Sequence, residues 1–326
     1  GMARKLIFTN FQSPGDIVML TAAVRDLHLC HPGEFVTDVR TSCPDLWLHN
    51  PWLTPLSESD PDVEVFPCHY PLIHRSNQLP YHFIHGFMEY IGERLGVRIF
   101  PRHFKGDIHL SEDERHGVWS FGKLLGDGVY WLIAAGGKFD FTVKWWDPAR
   151  YQAVVDHFAG RIQFVQVGEK DHHHPPLNGV IDLRGKTTLR ELLGLMHRAQ
   201  GVVCPVTLHM HLAAAVDTSP GRPLNRPCVV IAGGREPPHW EAYPFHQFHH
   251  TVGMLECCAL GGCWKSRVFP LGDGDSKDLL PALCADVVGS LPRCMDMIST
   301  EDVVRSIEKH FTSGLYSFLP TPQSKP

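Results

Sequence analysis

Residues 128–138 read GVYWLIAAGGK and join an apolar run to a pair of glycines. The run Gly128–Ala134 is typical of a strand that is buried on both faces of a parallel sheet. The two glycines that follow allow the backbone to turn tightly and to approach a ligand. Asp147 and Pro148 then predict the start of a helix, as its N-cap and its first residue. This part of the chain predicts one strand–loop–helix unit of an α/β fold.

The same alternation of strands and helices continues on both sides of this unit. Apolar runs of strand length alternate with amphipathic segments of helical period, which predicts parallel, doubly wound sheets. The expected strands are Lys5–Asn10, Glu34–Arg40, Arg161–Val167, Gly201–Cys204 and Cys228–Ile231. The expected helices are Asp16–His28, Phe83–Leu95, Thr188–Gln200 and Thr207–Val216.

The segment from Lys105 to Asp127, rich in charge and glycine, separates the two runs of alternating elements. We therefore predict an N-terminal Rossmann-like domain over residues 1–125 and a C-terminal one over residues 126–298. Residues 299–326 are expected to form a helix followed by a disordered, proline-containing tail. Two such domains in series leave a cleft, and ligands in these folds bind beyond the carboxyl ends of the strands.

The overall composition excludes several classes of protein. The 326 residues carry 30 lysines and arginines against 35 aspartates and glutamates, a formal charge of −5, which argues against a general nucleic-acid binder. No apolar run approaches the roughly 18 residues of a membrane span, and the first residues lack a signal-peptide pattern. The dinucleotide GxGxxG fingerprint, the P-loop and the GxSxG elbow are also missing. These features predict a soluble, cytoplasmic protein.

Asp16 and Lys144 are the first two candidate site residues. Asp16 follows a glycine turn after the first strand, where a carboxylate can face the cleft as a general base. The alternative is that Asp16 caps its own helix, whose N-terminus stabilises the anion. Lys144 stands between the glycine loop and the next helix, where it can reach a phosphate. The alternative for Lys144 is a surface lysine flanked by two tryptophans.

Further candidates follow the carboxyl ends of later strands. Glu169 comes after a strand, where a carboxylate can accept both hydroxyls of a ribose. Arg235 follows two glycines that permit close backbone approach, and it is placed to pair with a phosphate. The helix that starts at Thr207 offers backbone N–H groups to an anion. The candidate ligand-binding residues in these segments are Glu169, Thr207, Leu208, His209, Met210, His211, Gly233, Gly234 and Arg235.

Half of the ten cysteines crowd into one segment near the end of the chain. Disulfides are rare in the cytoplasm, whereas tetrahedral thiolate sites hold zinc or iron. The spacing differs from the CxxC pairs of zinc ribbons, and Cys257 makes the fourth ligand ambiguous. Two interpretations remain, a closed structural metal site and a set of free thiols. The candidate metal ligands are Cys258, Cys263, Cys284 and Cys294.

Several motifs, taken in order, resemble glycosyltransferase family 9, the ADP-heptose:lipopolysaccharide heptosyltransferases. The Gly-Asp-hydrophobic run at residues 15–21 and the Lys-x-Trp segment at residues 144–146 are similar to the family's. DLRGKTTLREL at residues 182–192 and MHLAAA at residues 210–215 resemble its most specific stretches. Residues 294–303 resemble its usual ending, so the similarity spans most of the chain.

The resemblance implies a GT-B architecture, in which two Rossmann-like domains face each other across a cleft. It implies an inverting transfer, without a metal or other cofactor, of a sugar from a nucleotide diphosphate held by the C-terminal domain. By position, Asp16 would deprotonate the acceptor hydroxyl and Glu169 would contact the ribose. Lys144 and the helix start at Thr207 would hold the diphosphate. The resemblance also implies that the final helix crosses back to the N-terminal domain.

Two features refine this expectation. Val206 stands where the family has an aspartate that contacts the donor, which leaves heptose specificity open. The Gly-Gly-Arg-Glu-Pro motif at residues 233–237 and the cysteines look more like the autotransporter heptosyltransferase branch. In that branch the cysteines bind iron and the acceptor is a protein serine, whereas other members modify a lipid-linked saccharide. A structural iron, or else zinc, is therefore expected if the cysteines bind a metal.

The sequence thus predicts a cytoplasmic glycosyltransferase that transfers a sugar from a nucleotide-diphosphate donor to a cell-surface glycoconjugate. ADP-heptose is the favoured donor. Two alternatives share the same fold. One is a catalytically silent sugar-nucleotide-binding or scaffold protein, which the valine at position 206 suggests. The other is a sugar-nucleotide epimerase, which alters the donor without an acceptor. A third alternative, a redox or metal sensor, depends on the cysteines alone.

Overall fold

The computed structural model of the chain describes residues 2–117, 119–125 and 128–312. Within these ranges the strands form a three-stranded sheet, a six-stranded sheet and one small two-stranded pair. No helix of the described residues is both long enough and apolar enough to cross a membrane. The tail that the sequence predicts to be disordered lies outside the described residues.

The first sheet is parallel and carries the helix on which Asp16 lies. Its strands are β1 (Arg4–Asn10), β2 (Phe35–Thr41) and β3 (Val63–Pro67), with β1 in the middle. The helices of this part are α1 (Pro14–Cys30), α2 (His85–Leu95), α3 (Glu112–His116) and α4 (Gly122–Leu125). The residues from Ile17 to Leu27 are buried on every face of α1, because the helix packs against its own sheet and also against the second domain.

The second sheet contains the strand–loop–helix unit around residues 128–138 and is parallel throughout. Its strands are β4 (Tyr130–Ile133), β5 (Gln163–Gln166), β6 (Ile181–Asp182), β7 (Gly201–Pro205), β8 (Cys228–Gly233) and β9 (His246–His250). Its helices are α5 (Pro148–His157), α6 (Leu189–Arg198), α7 (Leu208–Ala215) and α8 (Pro238–Glu241). The spatial order β6-β5-β4-β7-β8-β9 is that of nucleotide-binding folds. Ligands of these folds bind where the strand order reverses, which in this sheet is between β4 and β7.

Two predicted helix starts in this domain are formed by the side chains that the sequence indicates. The Asp147 carboxylate accepts a hydrogen bond from the N–H of Ala149 at 2.8 Å. At the start of α6, the Thr188 hydroxyl accepts from the N–H of Glu191 at 3.1 Å, and the Glu191 carboxylate accepts from the N–H of Thr188 at 2.9 Å. These bonds satisfy N–H groups that a helix start leaves without partners, and they fix where the preceding loops end.

The cysteine-rich segment has little regular structure and is held by polar contacts. Its elements are β10 (Val287–Val288), β11 (Leu291–Pro292) and α9 (Arg293–Asp296). The buried guanidinium of Arg267 donates to Asp273 at 2.8 Å and to Asp278 at 2.6 Å. The side chain of Asn77 exchanges two hydrogen bonds of 2.9 Å with the backbone of Gly262. The segment is therefore tied directly to the N-terminal part of the chain.

The described part of the last helix lies on the second domain, and the crossing back that the family resemblance implies stays a prediction. Over its described residues, α10 (Thr300–Thr312) packs on α5 and β8 of the second domain. Val303 and Ile307 lie one helical turn apart and are fully buried in the apolar cluster around Trp131. The apolar face of this amphipathic helix is therefore covered by the domain that precedes it. The domain limits given by the sequence stay predictions.

Candidate active site

Asp16 lies in the first turn of α1, close to the carboxyl end of β1. Its Oδ2 accepts a hydrogen bond from the N–H of Ser13 at 3.1 Å, so the carboxylate caps its helix. Burial raises the pKa of Asp16 to about 6, although the Ser13 N–H and the charge of Lys144 act in the opposite direction. A carboxyl group whose pKa lies this near neutrality is suited to accept a proton. Helix capping and general-base chemistry are therefore compatible at this position.

Lys144 approaches the same place from the second domain. Its Nζ donates to the carbonyl oxygen of Val206 at 3.2 Å and lies 3.7 Å from Oε2 of Glu236. It also lies 5.1 Å from the centre of the Phe141 ring, within the range of a cation–π contact. Lys144 is close enough to Asp16 to lower the pKa of that carboxyl. The structure thus brings the predicted base and the predicted phosphate ligand together at the junction of the two sheets.

His211 belongs to the contact between the domains. Its Nδ1 lies 2.7 Å from the hydroxyl of Tyr243, which in turn donates to the sulfur of Met19 on α1 at 3.6 Å. A Cβ at Gly15 would lie only 3.0 Å from the His211 ring, so a side chain at position 15 would force this ring to move. Burial lowers the pKa of His211 to about 4. His211 is therefore a neutral, buried link and does not supply a free positive charge to a ligand.

The start of α7 presents three of the predicted residues to the cleft. Thr207, Leu208 and His209 are half-buried at the carboxyl end of β7, and the Thr207 hydroxyl lies 3.3 Å from Nδ1 of His209. Met210 differs, because its side chain is fully buried in the core and does not face the cleft. The N-terminus of a helix carries a partial positive charge that favours a phosphate at this position.

Glu169 follows β5, as the sequence predicts, and is exposed. Its Oε2 lies 3.5 Å from Nε2 of His172. The preceding Gly168 has no room for a side chain, because a Cβ there would lie 2.4 Å from the ring of His174. The loop therefore folds back over the end of the sheet and leaves the Glu169 carboxylate at its rim. Its contact with a ribose stays a prediction.

Gly233, Gly234 and Arg235 contact the cysteine-rich segment. A Cβ at Gly233 would lie 2.6 Å from the sulfur of Met295, and one at Gly234 would lie 3.1 Å from Sγ of Cys258. The Arg235 guanidinium donates to the carbonyl of Lys265 at 2.6 Å, and its central carbon lies 4.8 Å and 5.1 Å from the ring centres of Phe141 and Trp264. Close packing within the chain therefore explains why both positions are glycine. The ligand contacts of Gly233, Gly234 and Arg235 stay predictions.

The four predicted metal ligands line a single cavity of about 20 Å³. Cys257 lines it as well, and all five cysteines are free thiols. Burial and the neighbouring thiols raise the pKa of Cys257 to about 11 and that of Cys294 to about 12. Among the described residues, no three histidine, cysteine or carboxylate groups are close enough together to hold an ion. The structure therefore brings the predicted ligands to one cavity without forming a metal site.

Three residues of this region were not identified from the sequence. Glu236, Glu241 and Tyr243 lie in the loop and short helix after β8 and are buried beside Lys144 and His211. Glu236 follows the Gly-Gly-Arg motif directly, which gives it a local sequence signal. Glu241 and Tyr243 carry no such signal, because only the packing of α8 brings them to the site.

A family model and several solved structures resemble this chain. The model of glycosyltransferase family 9 (heptosyltransferase) matches residues 102–220, which include Lys144, Glu169 and Thr207. No curated protein matches the chain. The family match covers the stretch in which the sequence motifs are most specific.

The solved structures match over nearly the whole chain. The glycosyltransferase family 9 protein of Veillonella parvula has a TM-score of 0.65 at 14% identity, covering 95% of this chain and 97% of its own. E. coli ADP-heptose LPS heptosyltransferase II has a TM-score of 0.59 at 13% identity, covering 93% and 97%. The dodecameric iron-containing heptosyltransferase TibC, in complex with ADP-D-beta-D-heptose, has a TM-score of 0.63 at 17% identity, covering 96% and 78%.

The solved structures show that the chain has the GT-B fold, and the family model shows that residues 102–220 are similar to glycosyltransferase family 9. The chain carries the family 9 region within residues 102–220, and the resemblance that the ordered motifs indicate is confirmed. Its assignment to the autotransporter branch stays a prediction.

Proposed function

We propose that this chain transfers a sugar, with inversion, from a nucleotide diphosphate held by the second domain to an acceptor hydroxyl beside Asp16. The observation that supports this most strongly is that the start of α1, where Asp16 lies, packs against the second domain. Lys138 Nζ lies 3.4 Å from Oγ of Ser13, Gly15 lies against the His211 ring, and the charge of Lys144 lowers the pKa of Asp16. ADP-heptose is the favoured donor, since solved relatives are complexes with ADP-D-beta-D-heptose and with ADP. The acceptor is a cell-surface glycoconjugate, either a lipid-linked saccharide or a protein serine, and the reaction takes place in the cytoplasm.

The chemistry follows from where charge develops. Asp16 removes the proton from the acceptor hydroxyl while the hydroxyl oxygen bonds to the anomeric carbon of the sugar. The bond from that carbon to the diphosphate breaks on the opposite face, which inverts the configuration. The leaving diphosphate gains negative charge, which Lys144 and the N–H groups at the start of α7 stabilise. No metal is needed for these steps.

A turnover assay with ADP-heptose and either class of acceptor tests the proposal. We expect release of ADP together with incorporation of the sugar into one acceptor class. Saturable ADP binding with no transfer to either class would favour a silent binding protein. Conversion of the donor without any acceptor would favour an epimerase.

The activity is expected to fall as the pH drops through the pKa of Asp16. The base acts only when ionised, so kcat/KM should be constant above about pH 6 and should fall about tenfold per unit of pH below it. Steady-state kinetics between about pH 4.5 and about pH 8 measures this profile. ADP affinity, followed over the same range, separates loss of the base from loss of the fold. A kcat/KM that stays constant down to about pH 5 would contradict the role of burial at Asp16, because the ordinary aspartate pKa is about 3.9.

We also propose that the cysteine-lined cavity holds a structural iron, with zinc as the alternative. Its volume of about 20 Å³ is that of one small occupant, and its walls supply several sulfur ligands of the kind that both metals accept. The relative TibC is iron-containing. The thiols of Cys258, Cys263, Cys284 and Cys294 are not close enough together in the structure to hold an ion, so the metal would draw them together as it binds. It would then cross-link a segment that has little regular structure.

Purified protein should then carry about one metal ion per chain, as a four-thiolate site does. Cys258→Ser is expected to abolish the bound metal and to lower the midpoint of thermal unfolding. Cys30→Ser, a half-buried cysteine of the first domain, is the matched control and should keep the metal. Elemental analysis and thermal unfolding measure both effects. The proposal is contradicted if the purified wild-type protein contains no metal and its unfolding midpoint does not change when iron or zinc is added. The cysteines would then be free thiols.

A further inference from the structure

Two carboxyl groups lie buried side by side next to Lys144. Glu236 is 7% exposed and Glu241 is 3% exposed, and each carboxyl group shifts the pKa of the other. Two carboxylates in contact cannot both be ionised without a large electrostatic cost. A proton shared between them removes that cost, since the protonated partner donates to the ionised one.

The surroundings of the two groups show which one carries the charge. Oε2 of Glu236 lies 3.7 Å from Nζ of Lys144 and 3.3 Å from a guanidinium nitrogen of Arg235. Oε2 of Glu241 is buried and has no hydrogen-bond partner within the part of the chain that the structure describes. Its nearest titratable neighbour on α7 is the imidazole of His211, at 3.5 Å, which burial keeps neutral. Glu236 is therefore ionised, and Glu241 holds the proton.

The pKa values of the two carboxyl groups are shifted in opposite directions, because their charged neighbours differ. Burial raises the pKa of Glu236, but the charges of Lys144 and Arg235 outweigh it and hold this pKa well below the ordinary value. Burial and the charge of Glu236 both act to raise the pKa of Glu241. These directions agree with the assignment made from the contacts.

We propose that Glu236 is a positioning residue that holds Lys144, in its charged form, against the donor diphosphate. Because Glu241 carries a proton, Glu236 is the one carboxylate of the pair whose negative charge balances Lys144. The proposal rests on the proposed donor role of Lys144. It differs from that role because it assigns the function to a residue of the loop after β8, which need not touch the donor. Lys144 keeps its place through Glu236 and the carbonyl of Val206, and 21% of its side chain stays exposed.

The charge of Lys144 depends on this arrangement. Burial lowers the pKa of Lys144, and Glu236 is the largest opposing influence. Without Glu236 the lysine would lose its proton at a lower pH, and with it the attraction for phosphate. The titratable or charged groups that face Lys144 are Asp16 on α1, Lys138 in the glycine loop, His211 on α7, Arg235 and Glu236 after β8, and Glu241 on α8.

Calorimetric titration with ADP between about pH 7 and about pH 9 tests the proposal, because the ordinary lysine pKa lies above this range. Wild-type protein should bind ADP with nearly constant affinity. Glu236→Gln should bind more weakly as the pH rises, and its affinity should fall about tenfold per unit of pH once the pH exceeds the lowered lysine pKa. Glu241→Gln, whose amide replaces a protonated acid and still donates to Glu236, should keep the wild-type pH profile. Glu93→Gln, an exposed residue of α2, is the matched control.

Further variants separate the possible failures. Lys144→Met should weaken ADP binding at every pH, and adding Glu236→Gln to it should change nothing more. If Lys144→Met binds ADP normally, the donor role of Lys144 fails, and the proposed function with it. If Lys144→Met weakens binding but Glu236→Gln keeps a flat profile, only the positioning role is overturned. If Glu236→Gln does not fold, as thermal unfolding reports, Glu236→Asp takes its place and must keep the flat profile, because it retains the charge.

Discussion

Replacement of Asp16 by asparagine lowers kcat by about 10²–10⁴-fold, the range that a positioned general base contributes. The amide keeps the size of the side chain and its oxygen still accepts the hydrogen bond from the N–H of Ser13, so α1 keeps its cap. What the variant loses is the ability to take the acceptor proton. ADP affinity should be retained, because the diphosphate is proposed to bind on the second domain. Initial-rate kinetics and ADP titration of the same preparation measure the two effects.

The control for this variant is Glu112→Gln, which also neutralises a carboxylate in the first turn of a helix. The side chain of Glu112 is 89% exposed and lies on α3, away from Lys144. We expect its kcat to equal that of the wild type. If Asp16→Asn keeps full activity and a stable fold, Asp16 is only a helix cap and the base must be another group.

Lys144→Met weakens ADP binding by about 10–100-fold, which corresponds to about 1.5–3 kcal/mol for a hydrogen bond to a charged group. Methionine keeps most of the buried aliphatic length but has no charge for the diphosphate. The loss should appear in the donor KM as well as in kcat, since the proposed mechanism has Lys144 bind the diphosphate in the ground state and stabilise it as it leaves.

Lys123→Met is the matched control for this variant, because Lys123 is exposed on the short helix α4. Its ADP affinity should equal that of the wild type. Equal affinities for Lys144→Met and Lys123→Met would remove Lys144 from the donor site and favour its alternative as a surface lysine.

The second sheet could be predicted from the sequence because its central strands are buried on both faces. Apolar runs predict β4, β5, β7 and β8 to within a few residues of their observed ends. Strand β9 was missed, since HQFHH is a half-buried strand at the edge of the sheet and has no apolar run. For α10, the amphipathic spacing indicates a buried face but does not say which domain covers it.

The candidate site could be predicted only in part. Asp16 and Lys144 follow turns at the carboxyl ends of strands, and the sequence marks such positions. Gly233 shows the limit of this approach, because a glycine indicates that something approaches the backbone but not what it is. Here the sulfur of Met295 approaches it, from a position 62 residues further along the chain. The partnership of Glu236 with Glu241 likewise depends on the tertiary packing of α8.

ADP titration of the Asp16→Asn and Lys144→Met variants side by side tests the central claim most directly. The claim is that a base on the first domain and a phosphate ligand on the second converge on one bound nucleotide sugar. It predicts saturable ADP binding that Asp16→Asn retains and Lys144→Met loses by about tenfold or more. Equal ADP affinity in both variants and the wild type, or no binding by the wild type, would contradict it.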